Sequence, residues 1–194
     1  MKKITAIIAA FMLFGSFANA QDFEVSELPA FRLRTGFTTG VSFDIAPSRT
    51  ATDSNLLPFS FAVKAGYRTV NTHILGLLGI EYLNDENFIP LGVEVRQNFS
   101  NNTWAPFAYA QAGYSFHLKR NIRSRYNTAN YAQYEPSLFI KAGAGYSFAT
   151  TLSEFYVSVG YLYHQLEKIM VEQTGETRTD LTMNGIDITL GFVF

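Results

Sequence analysis

Three histidines, His73, His117 and His164, stand among serines and acids at spacings that invite a search for hydrolytic chemistry. On a period-2 backbone His117 shares a face with Ser115, and His164 with Ser158, while Glu81 could orient an imidazole. Serine-based acyl transfer needs the general base within about 3 Å of the hydroxyl and a third group to hold it. The 194 residues contain no Cys, which excludes disulfides, thiolate metal sites and cysteine nucleophiles. No phosphate loop, His-Glu-x-x-His or calcium loop is present. No catalytic residue, cofactor or metal is therefore assigned from motifs, and the placement of the charged residues becomes the informative question.

That placement follows from alternation. Phe31 to Ile45 puts Phe31, Leu33, Phe37, Val41 and Phe43 on one face, with Arg32, Arg34, Gly36, Ser42 and Asp44 on the other. Phe59 to Arg68 sets Lys64 and Arg68 opposite Phe61, Val63 and Tyr67, and Ile89 to Asn98 sets Glu94 and Arg96 opposite Leu91, Val93 and Val95. Thr72 to Leu83 turns His73, Gly79 and Glu81 one way, but Leu75 and Leu77 break its pattern. Trp104 to His117, Leu138 to Phe148, Phe155 to His164 and Gly185 to Phe194 complete eight segments, the second and the fourth of these contributing Lys141 and Asp187 to the polar face. An even number of such segments predicts an all-β fold, an eight-stranded antiparallel up-and-down transmembrane β-barrel with lipid outside and a polar lumen.

Loop rhythm and aromatic placement separate this from a soluble barrel, which would carry its charges on the outer wall. The long connections, Pro47 to Pro58, Lys119 to Glu135 and Gln165 to Thr182, fall at one end, and the connections at the other end are tight. Aromatic residues gather near both ends of the outward faces, as interfacial girdles do, with aliphatic residues between. Charged residues make up only 16% of the chain, against roughly 25% in soluble domains. A formal net charge of −1 offers nothing for a nucleic-acid backbone.

Residues 1–20 read as a cleaved secretory signal: Lys2 and Lys3, an apolar run to Phe17, then Ala18-Asn19-Ala20. The run is shorter than the roughly 20 residues of a spanning helix. Residues 21–29 are expected to form a short periplasmic segment whose Asp22, Glu24 or Glu27 could meet a basic lower lumen, and 30–194 the barrel. No second domain is expected after Phe194.

The closing Gly185-Ile186-Asp187-Ile188-Thr189-Leu190-Gly191-Phe192-Val193-Phe194 resembles the C-terminal signal of bacterial outer-membrane proteins. The resemblance implies that Leu190, Phe192 and Phe194 are read by the barrel-assembly machinery. Ala112-Gly113-Tyr114-Ser115-Phe116 and Ala144-Gly145-Tyr146-Ser147-Phe148 resemble strands of the small porin-family barrels of Bacteroidota. The likeness extends to the outer-membrane protein A transmembrane domain and to OmpX-type barrels, and implies a Gram-negative outer membrane.

Eight strands enclose a space only wide enough for side chains. Its expected charges are Arg32, Arg34, Asp44, Lys64, Arg68, Glu81, Glu94, Arg96, Lys141 and Asp187, which must pair or meet water. The favoured reading is an ion-paired plug and the alternative a narrow pore of low conductance. A lipid-modifying enzyme is a second alternative, but the His-x-Ser-Asn run of the lipid A deacylases is missing, since Gln165-Leu166-Glu167 follows His164. The remaining place for function is the loop carrying Lys119, Arg120, Arg123, Arg125, Tyr126, Tyr131 and Tyr134. Its cations suit lipopolysaccharide phosphates and its aromatic residues an unknown extracellular ligand, although the same composition also suits a plain solvated loop. The expectation is a monomeric, non-enzymatic membrane protein without a cofactor.

Overall fold

The structure, a computed structural model, describes residues 35–50, 55–83, 86–118, 131–150, 153–172 and 175–194. Residues 1–20, expected to be a signal, the 21–29 segment, Arg32 and Arg34 lie outside the described residues, as do Lys119, Arg120, Arg123, Arg125 and Tyr126. In chain order the strands are β1 (Gly36–Ile45), β2 (Ser48–Thr50), β3 (Asn55–Leu56), β4 (Phe59–Arg68), β5 (Thr72–Leu83), β6 (Glu86–Asn98) and β7 (Trp104–His117). They continue as β8 (Tyr131–Tyr134), β9 (Ser137–Ala149), β10 (Glu154–His164), β11 (Glu167–Glu172), β12 (Gly175–Asp180) and β13 (Met183–Val193).

Eight of these, β1, β4, β5, β6, β7, β9, β10 and β13, pair antiparallel in that order, and β13 returns to β1. The seam runs from Gly40 opposite Val193 to Ile45 opposite Ile188. Below it the Phe194 N–H donates to the Thr39 carbonyl at 2.7 Å, and the Thr38 hydroxyl donates to the Phe194 carbonyl at 2.6 Å. Closure removes the free edges that no backbone could leave open in lipid. The fold is the predicted up-and-down barrel.

Sequence dictates which side of this wall meets which phase. Val63, Ile74, Leu78, Val93, Val159 and Ile188 stand exposed on the outside, with Trp104, Tyr146 and Phe192 toward one end and Phe43, Tyr82 and Tyr114 toward the other. At the first end two of the turns are built alike. The Thr69 hydroxyl accepts the Thr72 N–H at 3.0 Å, and the Thr150 hydroxyl accepts the Ser153 N–H at 3.1 Å. Threonine supplies there a local acceptor that the turning backbone lacks.

Three findings differ from the sequence expectations. First, the long connections carry their own strands. β2 and β3 form a hairpin that extends the wall beyond β13, while β8, β11 and β12 form a separate three-stranded sheet. The pairings of β2 with β13 and of β8 with β11 are non-local, and these strands are too short for a period-2 reading to show them. Second, Leu75 and Leu77 do not break the barrel pattern: both are buried inside it. Third, the interior is not simply polar. Phe107, Tyr109, Phe139 and Tyr156 are buried there, and their rings lie where neighbouring strands carry glycine. A Cβ at Gly143 would come within 2.9 Å of the Tyr109 ring, one at Gly113 within 2.8 Å of the Phe139 ring, and one at Gly145 within 2.7 Å of the Phe107 ring. Inward glycines are thus the space into which inward rings pack.

Candidate functional site

The lumen holds two ion-paired clusters, one above the other. In the lower one Glu94 on β6 is the hub. Lys64 Nζ, from β4, lies 2.5 Å from Glu94 Oε2, and Arg96 Nη2 lies 2.9 Å from Oε1. Lys64 also donates to the Tyr156 hydroxyl at 3.1 Å. The Arg96 guanidinium sits 3.7 Å from the Tyr156 ring centroid and 4.8 Å from that of Phe107, so aromatic faces serve where a second carboxylate is distant. That carboxylate is Glu154, 3.8 Å from Arg96 Nη1. Arg68, His73 and Arg96 are successive partners across β4, β5 and β6, and all three are buried.

The upper cluster centres on Lys141 of β9, whose Nζ lies 2.8 Å from Asp187 Oδ1 and 3.4 Å from Asp44 Oδ2. Asp187 Oδ2 also accepts the Thr189 hydroxyl at 2.9 Å and the Tyr109 hydroxyl at 3.1 Å, while the Ser60 hydroxyl donates to Asp44 at 2.9 Å. Each buried carboxylate in these two clusters except Glu154 therefore has a cation and at least one further donor, the arrangement that offsets desolvation.

Nearer the outer mouth, Glu81 Oε1 stands 3.5 Å from His164 Nδ1, and the opposite ring nitrogen, Nε2, stands 3.0 Å from Ser137 Oγ. Ser115 donates to Glu81 at 3.4 Å. The sequence had offered Ser115 or Ser158 as the partner of a histidine. Ser158 lies instead well below His164, opposite Gly145 and Thr189. The Ser137–His164–Glu81 order has the polarity of a hydrolytic triad, but its surroundings give a carbonyl substrate no room. The adjoining cavity, lined by Glu81, His164, Lys141, Asp44, Gln111 and Phe139, measures about 20 Å³. That is space for a water molecule.

A cap closes the mouth above it. Leu83, Phe88, Leu166 and Met183 form a buried apolar cluster, joined by Leu56 of β3, Tyr134 of β8 and Leu181 between β12 and β13. At its side His117 Nε2 stands 2.9 Å from Glu86 Oε2, and the Phe88, His117 and Tyr134 rings meet with centroids 4.9 to 5.3 Å apart. Burial first, and then the Glu86 carboxylate, push the Tyr134 phenol above its ordinary range.

Asp44, Lys64, Arg68, Glu81, Glu94, Arg96, Lys141 and Asp187 all lie inside the barrel. Tyr131 is placed by its backbone pairing with Val171. Tyr134, half-buried, packs against the cap cluster. Leu190 and Phe192 are exposed on the outer wall, and Phe194 lies just below the seam. Sequence reasoning missed Glu154, Ser137 and Glu86. Parity with Tyr156 could have placed Glu154 inside; Ser137 and Glu86 sit at strand starts, where alternation had not yet declared itself.

No family model matches the chain. No curated protein matches it in sequence. Among solved structures it is similar to Neisserial surface protein A, at 14% identity and a TM-score of 0.55, over 81% of this chain and 97% of that one. It is also similar to outer membrane protein AlkL in lipid bilayers, at 8% identity and a TM-score of 0.57, over 90% and 96% of the two chains. What is shared is the fold. The chain is a closed eight-stranded antiparallel barrel of the kind those two outer-membrane proteins use.

Proposed function

We propose that this chain is an integral protein of a Gram-negative outer membrane, exported by a cleaved signal at 1–20, monomeric, without a cofactor and non-enzymatic. The barrel-assembly machinery reads its Leu190, Phe192 and Phe194 end. Its lumen is a rigid plug, and its outer end meets lipopolysaccharide or an extracellular partner through the cationic loop at Lys119, Arg120, Arg123 and Arg125. One observation carries the plug reading: the inside is obstructed at three levels, by the Glu94 cluster, by the Lys141 cluster and by the apolar cap. The apolar outer belt and the fold shared with outer-membrane proteins support the location.

Planar-bilayer recording tests it. The full chain should show no steady unitary current. Steady currents that change when Arg96 or Glu94 is neutralised would favour the narrow pore and overturn the plug.

A further inference from the structure

On the outside of the barrel, level with the outer aromatic belt, three strands set three polar side chains in one lateral row. Asn184 on β13 is opposite Arg49 on β2, and Arg49 is opposite Asn55 on β3. All three are exposed. Directly below them Tyr161 on β10 is opposite Ile186 on β13, and the Ile186 N–H donates to the Pro47 carbonyl at 3.1 Å. The two rows line a groove of about 410 Å³ between the β2–β3 hairpin and the Tyr161 ring. The Tyr161 hydroxyl donates to Asn184 Oδ1 at 2.7 Å, which leaves the amide N–H groups of Asn184 to bond elsewhere.

Arg49 differs from every other charge in this wall. Among the described residues of the ten-stranded sheet, Asp44, Lys64, Arg68, Glu81, Glu86, Glu94, Arg96, Lys141, Glu154 and Asp187 share the inward parity, and only Arg49 takes the outward one. A cation on a lipid-facing surface is costly at mid-membrane and nearly free at the interface, the depth at which Arg49 stands. The surrounding layer at that depth is that of the lipid headgroups. A planar guanidinium with amide donors on both sides matches a phosphoryl group, to which arginine bonds in bidentate fashion. The apolar lower row, Tyr161, Ile186 and Pro47, matches the start of an acyl chain.

We propose that this groove binds the phosphoryl headgroup of an outer-leaflet lipid, with phosphate oxygens on Arg49, Asn184 and Asn55 and an acyl chain along Tyr161 and Ile186. The site rests on the outer-membrane reading above and adds to it a lipid contact built on the wall itself, separate from the cationic loop.

The test uses the full chain folded in octyl glucoside, a detergent without phosphate, with bis-phosphorylated lipid A as the probe and native mass spectrometry as the readout. Lipid A should bind about tenfold more tightly than its dephosphorylated form, and Arg49→Ala should remove that advantage, as loss of a charge-assisted bond would. Arg49→Lys should keep part of it, and Asn184→Ala should lose part. Equal binding of the dephosphorylated lipid, or no effect of Arg49→Ala, overturns the proposal. So does displacement of the lipid by millimolar inorganic phosphate, which would mark a free-anion site. A heat-dependent gel shift confirms that each variant is folded. Neutralising Lys119, Arg120, Arg123 and Arg125 separates the two contacts: binding lost there but kept in Arg49→Ala would leave the loop reading standing and sink the groove.

Discussion

Truncating Glu94 to alanine should be among the most damaging single changes that this barrel can suffer. Lys64 and Arg96 both depend on that carboxylate, at 2.5 and 2.9 Å, and all three side chains are buried. Without it Lys64 retains the Tyr156 hydroxyl and the charge of the more distant Asp44, and Arg96 retains two ring faces and a Glu154 contact at 3.8 Å. Removing one partner of a buried pair costs about 3–5 kcal/mol, and here one removal strands two cations. A loss at the upper end of that range is expected. Glu167→Ala is the comparator, since Glu167 pairs at 3.3 Å with Arg178, whose side chain is 58% exposed; such a pair contributes at most about 1 kcal/mol. The double variant Lys64→Met with Glu94→Leu should recover much of the loss, because it leaves Arg96 and Glu154 as a balanced pair. Urea unfolding in detergent micelles, followed by the fluorescence of Trp104 as it leaves its apolar surroundings, measures all three. If Glu94→Ala lies within about 1 kcal/mol of Glu167→Ala, the lumen is hydrated and the argument from desolvation fails.

Three further outcomes follow from the same geometry. Phe194→Ser keeps the backbone bonds to Thr39 and should still impair insertion, seen as periplasmic degradation on cell fractionation; normal surface levels would show that the ring carries no assembly signal. Gly143→Val drives a branched side chain into the Tyr109 ring and should destabilise the barrel by about 1–3 kcal/mol in the same urea assay, whereas Gly76→Ala, outward and with only a 3.6 Å neighbour, should change little. Because the Tyr134 phenol is raised by burial and by Glu86, its contribution to the cap is complete below the ordinary phenol value of 10.0 and is lost as pH rises through the higher folded value. Hydrogen exchange of β8 should therefore speed up at alkaline pH in the native chain, with Tyr134→Phe blunting the change.

Alternation made the wall readable because one constraint, lipid on one side, acts on every second residue along a whole strand. Lys64, Glu94, Arg96, Lys141 and Asp187 could be assigned to the interior on that ground alone, yet their partners could not. Lys64 reaches Glu94 across an intervening strand, and that reach depends on shear and ring packing that no local pattern encodes. Leu75 and Leu77 looked like errors because a polar lumen was assumed, when the lumen is a side-chain core with charges embedded in it. Glu86 stands at a strand start, where alternation assigns no face. It opens β6 and stands beside His117, since the cap extends burial beyond the outer rim of the barrel. The cap itself, drawn from three distant connections, left no periodic trace.

The rings seated over glycines also bear on how the strands find one another. A slip of two residues between β7 and β9 would preserve the inside–outside pattern, so lipid alone does not forbid it. In the native register Tyr109 is opposite Gly143, Phe107 opposite Gly145 and Phe139 opposite Gly113. Slid one way, Tyr109 would meet Lys141 and Phe139 would meet Gln111; slid the other, Phe107 would meet Ser147 and Phe139 would meet Ser115. Either slip sets a ring against a side chain in a lumen without spare volume. The pairing of bulky and absent side chains thus acts as a vernier: neighbouring strands can tilt and slide during insertion, but they come to rest only where every ring finds its gap.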